Sequence, residues 1–218
     1  MKKWTKWIPV LVAAVVALSG AAISRATIVG SAHDFTYESW NTSQVLCEVC
    51  HAPHNAAKGA AQLIPLWGHQ TTGATFTHYS SATLNATVGD PSGVSLACLS
   101  CHDGTVAINN FGSTSNGTAY VTGQAKLEAD LSNDHPISFT YDTALANADG
   151  YLWDPSTVVP LLGGKTIAQA MLVGGTVQCS SCHDVHRQKG TSGSSQMLLV
   201  ISGPSGAGSK LCLTCHNK

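Results

Sequence analysis

Cys47-Glu48-Val49-Cys50-His51, Cys98-Leu99-Ser100-Cys101-His102, Cys179-Ser180-Ser181-Cys182-His183 and Cys212-Leu213-Thr214-Cys215-His216 hold all eight cysteines of the 218-residue chain in four copies of one pattern. C-x-x-C-H is the attachment string of c-type haem. Two thiols three residues apart add across the vinyl groups on one porphyrin edge, and the next residue brings an imidazole to the iron. Zinc and iron–sulfur sites also use C-x-x-C pairs, and disulfide scaffolds also use cysteines in even number. None of these calls for histidine directly after the second cysteine of every pair. With histidine at about 5% of the chain, four such coincidences have a chance on the order of 1 in 10⁵. The sequence therefore predicts four covalently attached haem c groups. Their thioethers come from Cys47, Cys50, Cys98, Cys101, Cys179, Cys182, Cys212 and Cys215, and their proximal ligands are His51, His102, His183 and His216.

Composition narrows the setting. Charged residues make up 11% of the chain, against roughly 25% in an average soluble protein. Nothing is basic enough for a nucleic-acid binder, no eighteen-residue apolar run spans a bilayer, and no biased tract argues for disorder. Lys2, Lys3 and Lys6 precede the apolar run Trp7 to Leu18, which is followed by the small residues Ser19 to Ala22. This is the pattern of a secretory signal peptide, expected over residues 1–26 with cleavage after Ala22 or Ala26. Residues 27–218 then form a single tetrahaem domain with seven Lys and Arg against twelve Asp and Glu, a net charge of −5. Export implies an oxidising compartment, in which paired cysteines become disulfides unless another group takes them; here haem takes them.

The fold class expected is a multihaem cytochrome c with little regular secondary structure: short helices at the attachment motifs and long loops wrapped around four stacked haems. Ser43, Ser95, Thr176 and Ser209 stand three or four residues before the first cysteine of each motif and read as helix caps. Gly104 stops the second helix, and 141–148 and 166–172 read as two further short helices. No sustained apolar periodicity builds an independent core, so the porphyrins are expected to supply it.

The sixth ligand of each iron separates electron carriers from enzymes, because a second strong ligand blocks substrate. Six histidines lie outside the motifs: His33, His54, His69, His78, His135 and His186. His54 and His186 each follow a motif histidine by three residues, nearly the same helical face. Neither reaches the far side of its own haem, so each serves a different one. His135 is held extended by Pro136, and His33 sits in Ser31-Ala32-His33-Asp34-Phe35. These four are the distal candidates for low-spin, bis-histidine haems. His69, after Leu66-Trp67-Gly68, is the alternative, either a ligand or an imidazole packed against a propionate or tryptophan; His78 is a poor candidate. The candidates exceed the demand by about one.

The segments Gly30 to Phe35, Cys47 to Asn55, Pro65-Leu66-Trp67, Cys98 to Thr105, Asp134 to Phe139 and Cys179 to His186, in this order, resemble the secreted tetrahaem cytochromes of metal-reducing bacteria. Among them the chain is most similar to the outer-membrane cytochrome E type, whose subunits polymerise head to tail into extracellular filaments with a continuous haem stack. The resemblance implies that His54 ligates a haem of the neighbouring subunit, which accounts for the surplus. It also implies upstream periplasmic or outer-membrane cytochromes and external acceptors such as metal oxides as partners, with no nucleic acid.

One haem per 48 residues is dense. A chain of this length is about 40 Å across and each porphyrin about 10 Å, so four in line cross the molecule. The expected function is electron transfer rather than enzymatic catalysis, as a subunit of an extracellular polymeric conduit. A monomeric periplasmic electron shuttle is the alternative reading. A multihaem reductase of nitrogen or sulfur oxyanions, which needs an open iron, is opposed by the spare histidines.

Overall fold

In the computed structural model the described residues are 28–54, 64–186, 198–199 and 209–217. The signal-peptide expectation lies outside them. Within them the chain is a small mixed α/β domain with four short α-helices: α1 (Gly93–His102), α2 (Thr143–Asp149), α3 (Ile167–Met171) and α4 (Ser209–Cys215). Two antiparallel sheets of two strands each complete it. β1 (Phe139–Thr140) pairs with β4 (Thr176–Val177), and β2 (Val158–Val159) with β3 (Lys165–Thr166). None of these helices is long and apolar enough to cross a membrane.

Local chemistry explains each helix end. The Asp142 carboxylate caps α2 by accepting the Leu145 N–H at 2.8 Å, and Gly150, at φ +73°, closes it by donating to Ala146 O. Thr166 and Gln169 form a reciprocal capping box on α3. Both helices therefore stand within two residues of the stretches expected from sequence. Gly104, at φ +75°, follows α1 as a left-handed stop.

The attachment motifs themselves differ from one another. The motifs at Cys98 and Cys212 lie on α1 and α4, the one at Cys179 begins with a 3-10 turn (Cys179–Ser181), and the one at Cys47 is a run of turns. All share one feature: His51, His183 and His216 donate their N–H to the carbonyl of the first cysteine four residues back, at 2.8, 3.0 and 2.9 Å. His102 ends a regular α-helix. A single turn is thus enough to set two thiols and an imidazole on one side of the chain.

Three of the expected caps act differently. α1 begins after Ser92, and Ser95 is instead buried, its Oγ accepting the Cys179 N–H at 3.0 Å while its own N–H donates to Gln178 Oε1. Ser95 therefore welds the second motif to the third rather than starting a helix. Thr176 belongs to β4 because strand pairing with Thr140 takes its backbone. Ser43 Oγ accepts the Val45 N–H in a local turn and donates to Asn41 and Glu48. Ser209 is the first residue of α4.

The apolar interior is divided. One cluster joins Phe139, Tyr141, Ala146, Ile167, Met171 and Val177 with Leu211 and Cys215 against it; a second pairs Trp67 with Ala97; a third groups Phe76, Leu99 and Leu131. α1 serves two of them, burying Gly93, Ser95, Ala97, Leu99 and Ser100 on several sides at once. Burial all round erases the 3.6-residue stripe by which a surface helix is recognised.

Ser95→Ala is expected to lower stability by about 1–3 kcal/mol, because the buried Cys179 N–H loses its acceptor. Ser92→Ala, whose side chain makes no capping bond, is expected to cost less than about 0.5 kcal/mol. Denaturant unfolding of the two variants side by side checks the difference.

Candidate functional site

The fold brings motif histidines against histidines from distant segments. The rings of His33 and His102 have centres 5.9 Å apart at 49° between planes. His51 and His186 are 6.3 Å apart at 19°, and His135 and His216 are 6.3 Å apart at 77°. An imidazole nitrogen binds a transition metal at about 2.0 Å with its ring centre about 1 Å behind, so two imidazoles on opposite sides of one iron have centres about 6 Å apart. All three pairs have this spacing. In each, one member comes from an attachment motif and the other from the set of distal candidates.

The second ring nitrogen decides which atom is left for metal. His51 Nδ1 lies 2.7 Å from Pro65 O, His102 Nδ1 2.7 Å from Ala125 O, and His135 Nδ1 2.9 Å from Pro136 O. A carbonyl accepts only from N–H, so each contact fixes the proton on Nδ1 and leaves the Nε2 lone pair for a ligand. Burial, followed by the charges of His102, His183 and His186, pushes His33 down to about 4. It is therefore neutral near pH 7, the state that metal binding requires.

Backbone detail delivers these acceptors. Leu66 sits at φ +57°, a conformation that costs a non-glycine residue about 1–2 kcal/mol. It turns Pro65 O to His51, while Leu66 O takes the Ala52 N–H at 2.7 Å. Gly68 follows so closely on Ala52 that a Cβ there would meet Ala52 Cβ at 2.7 Å. On the other side, rings of Phe35, Trp40 and Phe111 form a ladder with centres 5.5 and 6.4 Å apart. The ladder holds the segment of His33 against the chain that follows α1.

The remaining histidines are engaged otherwise. His69 is 2% exposed, with Nδ1 2.8 Å from Gln70 O and Nε2 3.1 Å from both Ala107 O and Ile108 O. Both nitrogens face carbonyls, Trp67 lies 5.9 Å away ring to ring, and Cys101 Sγ is 3.6 Å from Nε2. The structure thus places His69 as a buried cross-link behind the second motif. His78 turns Nε2 onto Asp90 at 2.9 Å. His54 is exposed, and His183 pairs through its backbone with Leu198.

The thiols show how the motifs follow one another. Burial first, then Cys50 and Asp103, pushes Cys101 up to about 12. Cys98 and Cys179 share a hydrogen bond, which raises the donor Cys98 and lowers the acceptor Cys179. Burial and then Cys212 raise Cys182. The second motif thus meets the third through Cys98 and Cys179.

Two buried polar side-chain atoms lack a partner among the described residues, Trp67 Nε1 and Ser180 Oγ. Trp67 packs on Cys50 and Ala97, and Ser180 lies inside the third motif. Unmet polar capacity is costly in a protein interior, and here it is confined to the attachment motifs and their packing partners. Among the described residues no three of His, Cys, Asp and Glu converge as a metal site. A haem iron asks less, since the porphyrin supplies four of its six bonds. The carbonyl acceptors Pro65, Ala125 and Pro136, and the role of His69, had no signal in the sequence beyond the His135-Pro136 dipeptide. No protein-family model and no curated protein matches the chain.

His69→Ala is expected to cost about 2–4 kcal/mol, through the lost bonds and the cavity left behind. His78→Ala, which breaks one partly exposed pair, is expected to cost no more than about 1 kcal/mol. Unfolding curves of the two variants measure both.

Proposed function

We propose that the chain is an electron-transfer cytochrome carrying four haem c groups, and that it acts as one subunit of a secreted, extracellular polymeric conduit. The observation that carries the first half is the set of three cross-segment histidine pairs at 5.9–6.3 Å, each holding one motif histidine. Cys47 and Cys50, Cys98 and Cys101, Cys179 and Cys182, and Cys212 and Cys215 would hold the porphyrins by thioethers. Bound there, the haems supply one-electron ferric–ferrous couples at closely spaced centres.

The protein's own residues do three things in this reading. His33 with His102, His51 with His186, and His135 with His216 would hold the irons in pairs, which would keep water and substrate away and favour carriage over catalysis. The carbonyls of Pro65, Ala125 and Pro136 hold the ligand rings at fixed tautomer and angle, so little reorganises when charge arrives. The hydrogen bond between Cys98 and Cys179 sets the second motif beside the third.

His54 supports the second half of the proposal. His33, His135 and His186 are already placed against motif histidines, His69 and His78 have both or the outer nitrogen engaged, and His54 remains at the surface. An exposed imidazole is available to a second copy of the chain, whose His183 haem would take it as sixth ligand. Head-to-tail repetition of that contact gives a filament. Upstream cytochromes would load the row, and external acceptors such as metal oxides would discharge it.

Purified secreted protein is expected to carry four haems per chain, all low-spin. His33→Ala, His135→Ala and His186→Ala should each turn one haem of four high-spin in the EPR spectrum, whereas His78→Ala leaves four low-spin; four unchanged low-spin signals in the first three variants contradict the pairing. His54→Ala should retain four haems and lose assembly, and electron micrographs showing filaments of normal length would refute the lent ligand.

A further inference from the structure

The ligand rings do not all rest on neutral carbonyls. Asp184 stands between His183 and His186, and its Oδ1 accepts the backbone N–H of His186 at 3.0 Å. The same oxygen lies 3.6 Å from Nδ1 of the His186 ring, an ion-pair rather than a hydrogen-bond separation. Opposite, His51 has the uncharged Pro65 carbonyl at its Nδ1. The two imidazoles of this pair therefore have different electrostatic surroundings at their Nδ1 atoms.

We propose that Asp184 is a positioning and tuning residue for the centre between His51 and His186, lowering its potential relative to an uncharged residue at the same place. The inference rests on the haem reading above. A carboxylate facing the outer nitrogen of a ligating imidazole polarises the ring across 3.6 Å and makes it a stronger donor to metal. Its negative charge also favours the oxidised form of the centre, which carries one more positive charge. The Asp184 side chain is 29% exposed and that of His186 61%. Solvent therefore screens part of the direct Coulombic effect, and the effect through the ring persists. The hydrogen bond to the His186 backbone fixes the carboxylate beside the ring, so the turn Asp184-Val185-His186 sets ligand and charge as one unit. Asp184 transfers no atom; it changes the poise of a one-electron couple.

Asp184→Asn separates the two roles, because the amide oxygen still accepts the His186 N–H while the charge is gone. In the secreted, haem-loaded protein, spectroelectrochemical titration is expected to show one of four components moved to more positive potential, three unmoved, and all four low-spin. Asp184→Ser, a second uncharged acceptor, should move the same component in the same direction and serves where the asparagine variant loads haem poorly. In a His186→Ala background the shift should shrink, since the ring through which Asp184 acts is absent and only the screened direct effect is left. Four unmoved potentials in a fully loaded variant, or a shift of undiminished size without His186, would overturn the inference while leaving the haem reading intact. A wild-type chain without covalent haem brings down both.

Discussion

The described structure depends on imidazoles that meet across segments far apart in sequence, and in each pair one ring has its Nδ1 on a backbone carbonyl. One C-x-x-C-H turn supplies two sulfurs and one imidazole by itself, since the i, i+3 and i+4 positions share a side. The opposite imidazole is a tertiary product. His33 reaches α1 from the beginning of the described chain, His186 reaches back to the first motif, and His135 reaches forward to the last. Pairings of such long sequence separation are costly to form by chance encounter, because loop closure opposes them. The aromatic ladder of Phe35, Trp40 and Phe111 and the bond of Ser95 to Cys179 are what hold those closures in place.

The same constraint explains why the protein has so little conventional architecture. Among the described residues the apolar side chains form three separate clusters, and the largest rests on two-residue strands and two helices of five and seven residues. Tyr141 ties that cluster to the last motif, its hydroxyl donating to Trp153 O at 2.5 Å, and burial pushes the phenol up. Elements this short are marginal alone. Four porphyrins, each as wide as a helix with its side chains, would be the common packing partner that the separate clusters lack.

Sequence and structure agree where the signal is local and part company where it is not. The helices near 141–148 and 166–172 were legible because Asp142, Thr166 and Gly150 are themselves the caps. The turn that sets two cysteines and a histidine on one side of the chain was legible because the C-x-x-C-H spacing itself dictates it. Ser95 misled because a buried serine and a capping serine look alike in one dimension, and only Cys179, 84 residues away, distinguishes them. His69 was equally ambiguous, since the carbonyls that engage it belong to Ala107 and Ile108, 38 and 39 residues on. Carbonyl directions at Pro65 and Ala125 follow from backbone dihedrals such as φ +57° at Leu66, which no residue name announces.

High-resolution cryo-electron microscopy of the secreted protein tests the central claim most directly. The account predicts three irons that each lie between one pair, His33 with His102, His51 with His186 and His135 with His216. A fourth iron is predicted on His183, with an imidazole of a neighbouring copy as its sixth ligand. Any of the three pairs found on two different irons, or a sixth position filled by water, would contradict it.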